Sequence, residues 1–282
     1  MKRRTLFLGS LALSASLLLS ACGGSAASSQ AASASSEAVA SSAAASSEAS
    51  GESVQLTVFA AASLTETLNE IAEQYKTVAP NVELVFNFDS SGTLKTQIEE
   101  GVDCDLFLSA AQKQMNALEE ENLINADTRI DLLENKVVLA VPEGNPADIQ
   151  SFEDIGTDQC KLIALGNEDV PVGSYSVEIL TNLGILDELE SGNKITYGSN
   201  VKEVTTQVSE ASVDAGVVYC TDAFSAGLKV VDEATKEMCG QVIYPAAVLK
   251  AAPNAVAARK FLEYLQTSAA GEVFESVGFT AL

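Results

Sequence analysis

Histidine is absent from the sequence, and so is tryptophan. Without histidine, the usual general base near neutral pH and the commonest neutral metal ligand are both missing. Cysteine is sparse as well, at five residues with no C-x-x-C spacing, which argues against a zinc site. Basic residues are few, 16 against 39 acidic ones, for a formal charge of −23. That balance argues against nucleic acid or an anionic membrane surface as a partner. Long apolar runs are missing beyond the first 20 residues, so no later segment approaches the roughly 18 residues of a membrane span. The nucleophile-elbow pattern G-x-S-x-G is also absent, which with the missing histidine weighs against an exported hydrolase.

What is present at the start points to export. Lys2, Arg3 and Arg4 precede an apolar stretch from Leu6 to Leu19, and Leu19-Ser20-Ala21-Cys22 follows. This order predicts a signal peptide over residues 1–22 ending in a lipobox, with the Cys22 thiol lipidated and Cys22 the mature N-terminus. The plainer alternative is a secretory signal with a chance cysteine. Loss of Lys2, Arg3 and Arg4 would take the formal charge from −23 to −26. Residues 23–53 are nearly all Ser, Ala, Gly and Glu, with Val39 the one apolar side chain larger than alanine. Such a segment buries too little to offset ordering entropy and reads as a tether. In an exported chain the remaining cysteines, Cys104, Cys160, Cys220 and Cys239, could pair in three ways or stay as free thiols.

From Val54 onward, strand and helix patterns alternate. Val54 to Phe59 reads as a strand, and Leu64, Leu68, Ile71, Tyr75 and Val78 then recur on one helical face. Val82, Leu84, Phe86 and Phe88 alternate as a strand, a helix follows through Leu94 and Ile98, and Leu106–Leu108 forms a short buried strand. A second block opens at Val137–Val141. It holds strands near Leu162–Ala164, Ile195–Tyr197 and Gly216–Tyr219, with a helix carrying Val201, Val204 and Val208. The order predicts an α/β fold of two lobes, each a mixed, mostly parallel sheet flanked by helices. The limits are residues 54–136 plus 243–282 for the first lobe and 137–242 for the second. Phe86, Phe88 and Phe107 are expected in the core, and Glu119-Glu120-Glu121 at a solvated helix end.

One pattern recurs four times: a strand ends, a small or hydroxyl residue follows, and a helix begins. The instances are Phe59 to Glu66, Phe88 to Leu94, Val170 to Tyr175 and Gly198 to Glu203. Ser63 with Glu66, and Asn200 with Glu203, have capping-box spacing, so a helix should start at Ser63. In open α/β sheets such turns lie at the carboxyl ends of strands, where ligands bind. Each helix start offers unpaired N–H groups and a partial positive charge, so several converging starts make an anion site without lysine or arginine. Any one of these serines could equally be a plain helix cap.

The segments Phe59-Ala60-Ala61-Ala62-Ser63-Leu64-Thr65, Ser90-Ser91-Gly92-Thr93-Leu94, Asp105-Leu106-Phe107, Asp169-Val170-Pro171-Val172-Gly173 and Gly216-Val217-Val218-Tyr219 resemble the molybdate-binding proteins of molybdate ABC transporters. Tyr244-Pro245 and Gly278-Phe279 do as well. The matches run in family order across Val54 to Leu282. The resemblance implies a type II periplasmic-binding fold with the oxyanion between the lobes. Ser63 and Ser91 would supply hydroxyl and backbone donors, Val172 and Val201 backbone N–H groups, and Tyr219 its hydroxyl. Val172 stands where the family often has alanine, a change a backbone donor tolerates. Cys220 and Asp89 depart from common family residues. A carboxylate facing a dianion would repel it, so Asp89 is expected to turn away or bond the neighbouring turn.

The resulting expectation is a lipid-anchored protein on the extracytoplasmic face of the cell membrane. It would capture molybdate or tungstate and deliver it to an ABC transporter permease. It would act as a monomer, not an enzyme, with no resident cofactor, no direct protein–metal bond, no nucleic-acid partner and membrane contact through the anchor alone. The same fold could hold another small anion such as sulfate or phosphate. Asp89 is the one local acceptor for a phosphate proton. An adhesion module is the remaining rival, distinguished by the lack of any anion response.

Overall fold

The computed structural model describes residues 53–282; the segments expected to form a leader, with Cys22 in its lipobox, and a tether up to Glu52 lie outside the described residues. The first sheet begins with β1 (Val54–Ala61), followed by a 3-10 turn at Ala62–Leu64 and the helix α1 (Thr65–Val78). Then come β2 (Val82–Asp89), α2 (Ser91–Glu99), β3 (Leu106–Leu108), α3 (Gln112–Glu120) and β4 (Ile130–Asn135). A single residue, Lys136, separates β4 from β5 (Val137–Val141), which starts the second sheet. That sheet continues through β6 (Ile163–Gly166), α4 (Pro171–Asn182), α5 (Leu186–Ser191), β7 (Ile195–Gly198) and α6 (Val201–Ser209). It is completed by β8 (Ala215–Tyr219), α7 (Cys220–Ser225), β9 (Lys229–Glu233) and α8 (Lys236–Cys239). The chain then returns to the first sheet in β10 (Val242–Val248), and α9 (Ala255–Leu265), α10 (Ser268–Ser276) and β11 (Thr280–Ala281) close it.

The first sheet has the order β11-β4-β10-β3-β1-β2 and the second β7-β6-β8-β5-β9. β1 pairs in parallel with both β2 and β3, and β6 with both β7 and β8, with helices in the connections as βαβ units require. β10 runs antiparallel between β3 and β4, and β5 antiparallel between β8 and β9. Both sheets are therefore mixed, as expected.

Burial explains the strand sequences. β5, read as Val-Val-Leu-Ala-Val, and β8, read as Ala-Gly-Val-Val-Tyr, are buried at every position, so both faces must be apolar. β2 is an edge strand, and this corrects the expectation for two aromatics. Phe86 and Phe88 are half-buried and stack on each other with centroids 5.0 Å apart, whereas Phe107 is fully buried. Glu119 is also less free than expected, since Arg129 reaches back to pair with it. Cys104, Cys160, Cys220 and Cys239 are all unpaired thiols. Burial pushes Cys104 up to about 12 and Cys160 and Cys239 up to about 11, so these thiols stay protonated and unreactive.

Candidate functional site

The turns at the carboxyl ends of the strands from both sheets meet in one cleft. Ser63 lies in the 3-10 turn after β1, and its hydroxyl is 2.9 Å from the Tyr244 hydroxyl. It does not cap α1, contrary to the capping-box spacing. The first turn is 3-10, so α1 proper starts at Thr65, and Tyr244 takes the serine hydroxyl. Glu66 turns away to Lys202 Nζ at 2.7 Å. At the second turn, Ser90 is the cap of α2, its Oγ accepting from Thr93 N at 3.0 Å. Ser91 is thereby released from capping. Its Oγ accepts the Ala110 N–H at 2.9 Å, which leaves the Ser91 proton free to be donated elsewhere.

The second lobe contributes two helix starts. Pro171 occupies the first position of α4 and Val172 the second. Asn200 caps α6, its Oδ1 accepting from Glu203 N at 3.1 Å, and Val201 is the first helical residue. Glu203 Oε2 accepts from Ser199 N, not from Asn200 N. The N–H groups of Val172 and Val201 have no hydrogen-bond partner among the described residues, as first-turn groups generally do not.

Tyr219 ends β8, and its ring meets Tyr244 edge-on with centroids 5.6 Å apart. Its hydroxyl is buried without a well-formed hydrogen bond. Burial, and then the neighbouring Tyr244, push the Tyr219 phenol well above its ordinary pKa, so it remains a donor at any physiological pH.

Three contacts hold the two lobes together over these residues. Gly92 N–H donates to the Asp169 carbonyl at 2.9 Å, joining the start of α2 to the segment leading into α4. Lys202 on α6 pairs with Glu66 on α1. Asn200 Nδ2 stands 3.5 Å from Asp89 Oδ1. The same Asp89 oxygen accepts from Ser90 N at 2.7 Å, the neighbouring-turn bond anticipated for it. Ser63, Ser91, Val172, Val201 and Tyr219 are each between 0 and 4 % exposed, so the cleft is shut over them. A groove of about 880 Å³ lined by Tyr75, Val78, Val256 and Tyr264 contains none of them.

One group near the cleft escaped the sequence reading. Asp222 on α7 is fully buried, with Lys202 Nζ 3.0 Å from one oxygen. The lysine supplies charge, yet neither carboxylate oxygen receives a well-directed hydrogen bond. Burial raises Asp222 to about 6 even though Lys202 pulls it down. For Lys202, burial alone would lower the pKa, but Asp222 and Glu66 outweigh it and hold it above its ordinary value. The spacing of Lys202 and Asp222, twenty residues apart on different helices, left no periodic signal to find. Among the described residues no cluster of acidic or sulfur ligands could hold a bare metal ion.

Comparison with known proteins agrees with this geometry. Residues 56–280 match the family of bacterial extracellular solute-binding proteins. A Bacillus subtilis protein, provisionally named an ABC transporter substrate-binding lipoprotein, is 38% identical over 234 residues, covering 82% of this chain and 88% of its own. The molybdate-binding protein of Haemophilus influenzae is 36% identical over 234 residues, covering 81% and 91% respectively. Among solved structures, the periplasmic molybdate-binding protein of Azotobacter vinelandii superposes with a TM-score of 0.73 over 80% of this chain and 98% of its own; at 23% identity it speaks for the fold alone. Two mixed sheets closing over a cleft of helix starts, matched along nearly the whole described chain, place this protein in the family of bacterial extracellular solute-binding proteins.

Proposed function

We propose that this protein captures molybdate or tungstate as cargo between its lobes, divided near residues 136 and 243, and delivers it to an ABC importer. Ser63, Ser91, Val172, Val201 and Tyr219 would form the binding shell, with no resident cofactor and no catalytic step. The observation that carries this reading is the polarity of the cleft. Ser91 is fixed as a donor by Ala110, the Tyr219 hydroxyl lacks a partner, and two helix-start N–H groups are unpaired. A cage made of donors suits an oxyanion that is fully deprotonated at neutral pH. Each hydrogen bond to a charged acceptor contributes about 1.5–3 kcal/mol net, so five leave tight binding after desolvation and closure. Hydrogen phosphate would need an acceptor for its proton, and the carboxylate of the second turn, Asp89, is engaged by Ser90 and Asn200. The names of the Haemophilus influenzae and Bacillus subtilis relatives support molybdate as cargo and a lipid anchor at Cys22.

Thermal melting of the purified protein against molybdate, tungstate, sulfate and phosphate tests the cargo. Ligand at a thousandfold excess over Kd stabilises the native state by about 4 kcal/mol, a shift of many degrees. Molybdate and tungstate should produce it, and a response to sulfate or phosphate alone would replace the assignment. Cys22→Ser should release the protein from the membrane fraction; unchanged retention would remove the anchor.

A further inference from the structure

Ser63 differs from Ser91 in that no backbone N–H fixes its direction. Its hydroxyl meets only the Tyr244 hydroxyl, and either oxygen could donate by distance alone. The choice is made one step away, at Asn135. A backbone N–H can only donate, so the Asn135 atom 2.8 Å from Lys136 N is the amide oxygen. The Cys220 thiol also donates to that oxygen, at 3.2 Å. The amide nitrogen therefore points the other way, giving one hydrogen to Thr221 Oγ1 at 3.0 Å and one to the Tyr244 oxygen at 3.1 Å. Tyr244, already accepting from Asn135, has Ser63 Oγ as its remaining well-formed hydrogen-bond partner; the Tyr219 hydroxyl acts on it electrostatically but makes no well-formed bond. A phenol is also a stronger acid and a weaker acceptor than an aliphatic alcohol. Tyr244 consequently donates to Ser63, and the Ser63 proton is left with no acceptor in the protein. All four side chains, Ser63, Tyr244, Asn135 and Thr221, are buried, so water does not scramble the order.

We infer that Asn135 and Tyr244 are positioning residues that lock Ser63 as a proton donor into the cleft, completing a shell that offers hydrogens and no lone pair to the ligand. This rests on the oxyanion reading above and adds the origin of its selectivity for unprotonated anions. The placement of Asn135 matters. It is the last residue of β4, one residue from β5, where the chain passes from one sheet to the other. The same amide touches Thr221 and Cys220 at the start of α7, directly after Tyr219. Donor polarity at Ser63 and the seating of Tyr219 thus depend on one amide at the crossing between lobes.

Tyr244→Phe tests this, because the ring can keep its contacts with Tyr219 and Phe279 while the hydroxyl is lost. By calorimetric titration, molybdate affinity should fall about tenfold, the scale of one hydrogen bond to a charged acceptor. The preference for molybdate over hydrogen phosphate should narrow with it, since a released Ser63 can turn to accept. In a Ser63→Ala background the same change should alter affinity by less than about twofold, because the residue acts through Ser63. Equal weakening in both backgrounds, or unchanged affinity and preference, would overturn the inference. Should Tyr244→Phe not fold, Asn135→Asp serves: a carboxylate there draws the Tyr244 proton away, Ser63 must then donate to Tyr244, and Ser63→Ala should abolish most of the loss. A loss that persists undiminished in the Ser63→Ala background would be charge repulsion alone and would also overturn it. Failure of the wild-type protein to bind any oxyanion would remove the parent reading, and this one with it; binding by wild type with no coupling between the two sites would remove this one alone.

Discussion

The Tyr219 hydroxyl sits buried without a partner, a state that costs about 1–3 kcal/mol in the empty protein and is repaired when an acceptor arrives. Tyr219→Phe should therefore separate stability from binding. The ligand-free melting temperature should hold or rise, while molybdate affinity drops about ten- to a hundredfold; parallel losses in a melt with and without ligand would show the tyrosine to be structural. Ser91→Ala should behave differently. Removing its oxygen strands the buried Ala110 N–H, so the empty protein should lose about 1–3 kcal/mol as well as affinity. At this scale the sequence alone reached only the residue types. Hydroxyl residues at helix starts were visible, but which serine caps and which faces the cleft was not. Ser90 and Ser91 are neighbours whose roles differ by backbone geometry, and Ser63 was drawn from its cap position by Tyr244, 181 residues away.

Two glycines at helix starts illustrate how elements are seated, and neither has a positive φ, so space alone decides. A Cβ on Gly173 would lie 2.3 Å from the Gly166 carbonyl and 2.4 Å from that of Asn167, both within the second lobe. A Cβ on Gly92 would lie 2.3 Å from the Asp169 carbonyl, across the cleft. Gly173→Ala should thus lift α4 from the end of β6 and cost on the order of 3 kcal/mol in denaturant unfolding. Gly92→Ala should instead wedge the lobes apart: melting of the empty protein nearly unchanged, anion-induced stabilisation largely lost. Unfolding of the Gly92 variant comparable to that of Gly173→Ala would contradict the assignment of this contact to closure. The elements with a clear apolar pattern, such as the helical faces of α1 and α6 and the apolar runs of β1 and β5, are legible in the sequence. β4, β9 and β11 are not. β4 intersperses Asp131 and Glu134 among its apolar residues, β9 is a largely exposed edge, and β11 has two residues, so none carries a burial pattern long enough to read.

At the scale of the molecule, an acidic protein joins its two halves through one charge cluster: half-buried Lys202 pairs with buried Asp222 in its own lobe and with exposed Glu66 in the other. Alternation of strands and helices revealed two lobes, but not that β10 inserts antiparallel between β3 and β4, nor that Asp222 is enclosed, because both follow from distant chain packing. Asp222 has a consequence for stability that can be signed. Its pKa is about 6 in the folded protein against 3.8 for the free side chain. Between those values the folded state keeps a proton that the unfolded state has lost. Stability due to this group therefore falls as pH rises from about 4 to 6 and levels off above, by on the order of 2–3 kcal/mol in all. Relief of general self-repulsion at low pH acts in the same direction, so the wild-type profile alone cannot isolate the effect. Asp222→Asn removes the titration while keeping the shape. The attraction of Lys202 is already part of the Asp222 pKa, so only the difference between the neutral acid and the amide remains, as an offset that does not vary with pH. Chemical denaturation at pH 4.5, 5.5, 6.5 and 7.5 should show the variant gaining on wild type as pH rises, with the difference flat above about 6.5. Parallel profiles across the range would mean that Asp222 ionises in the folded protein as readily as it does in water.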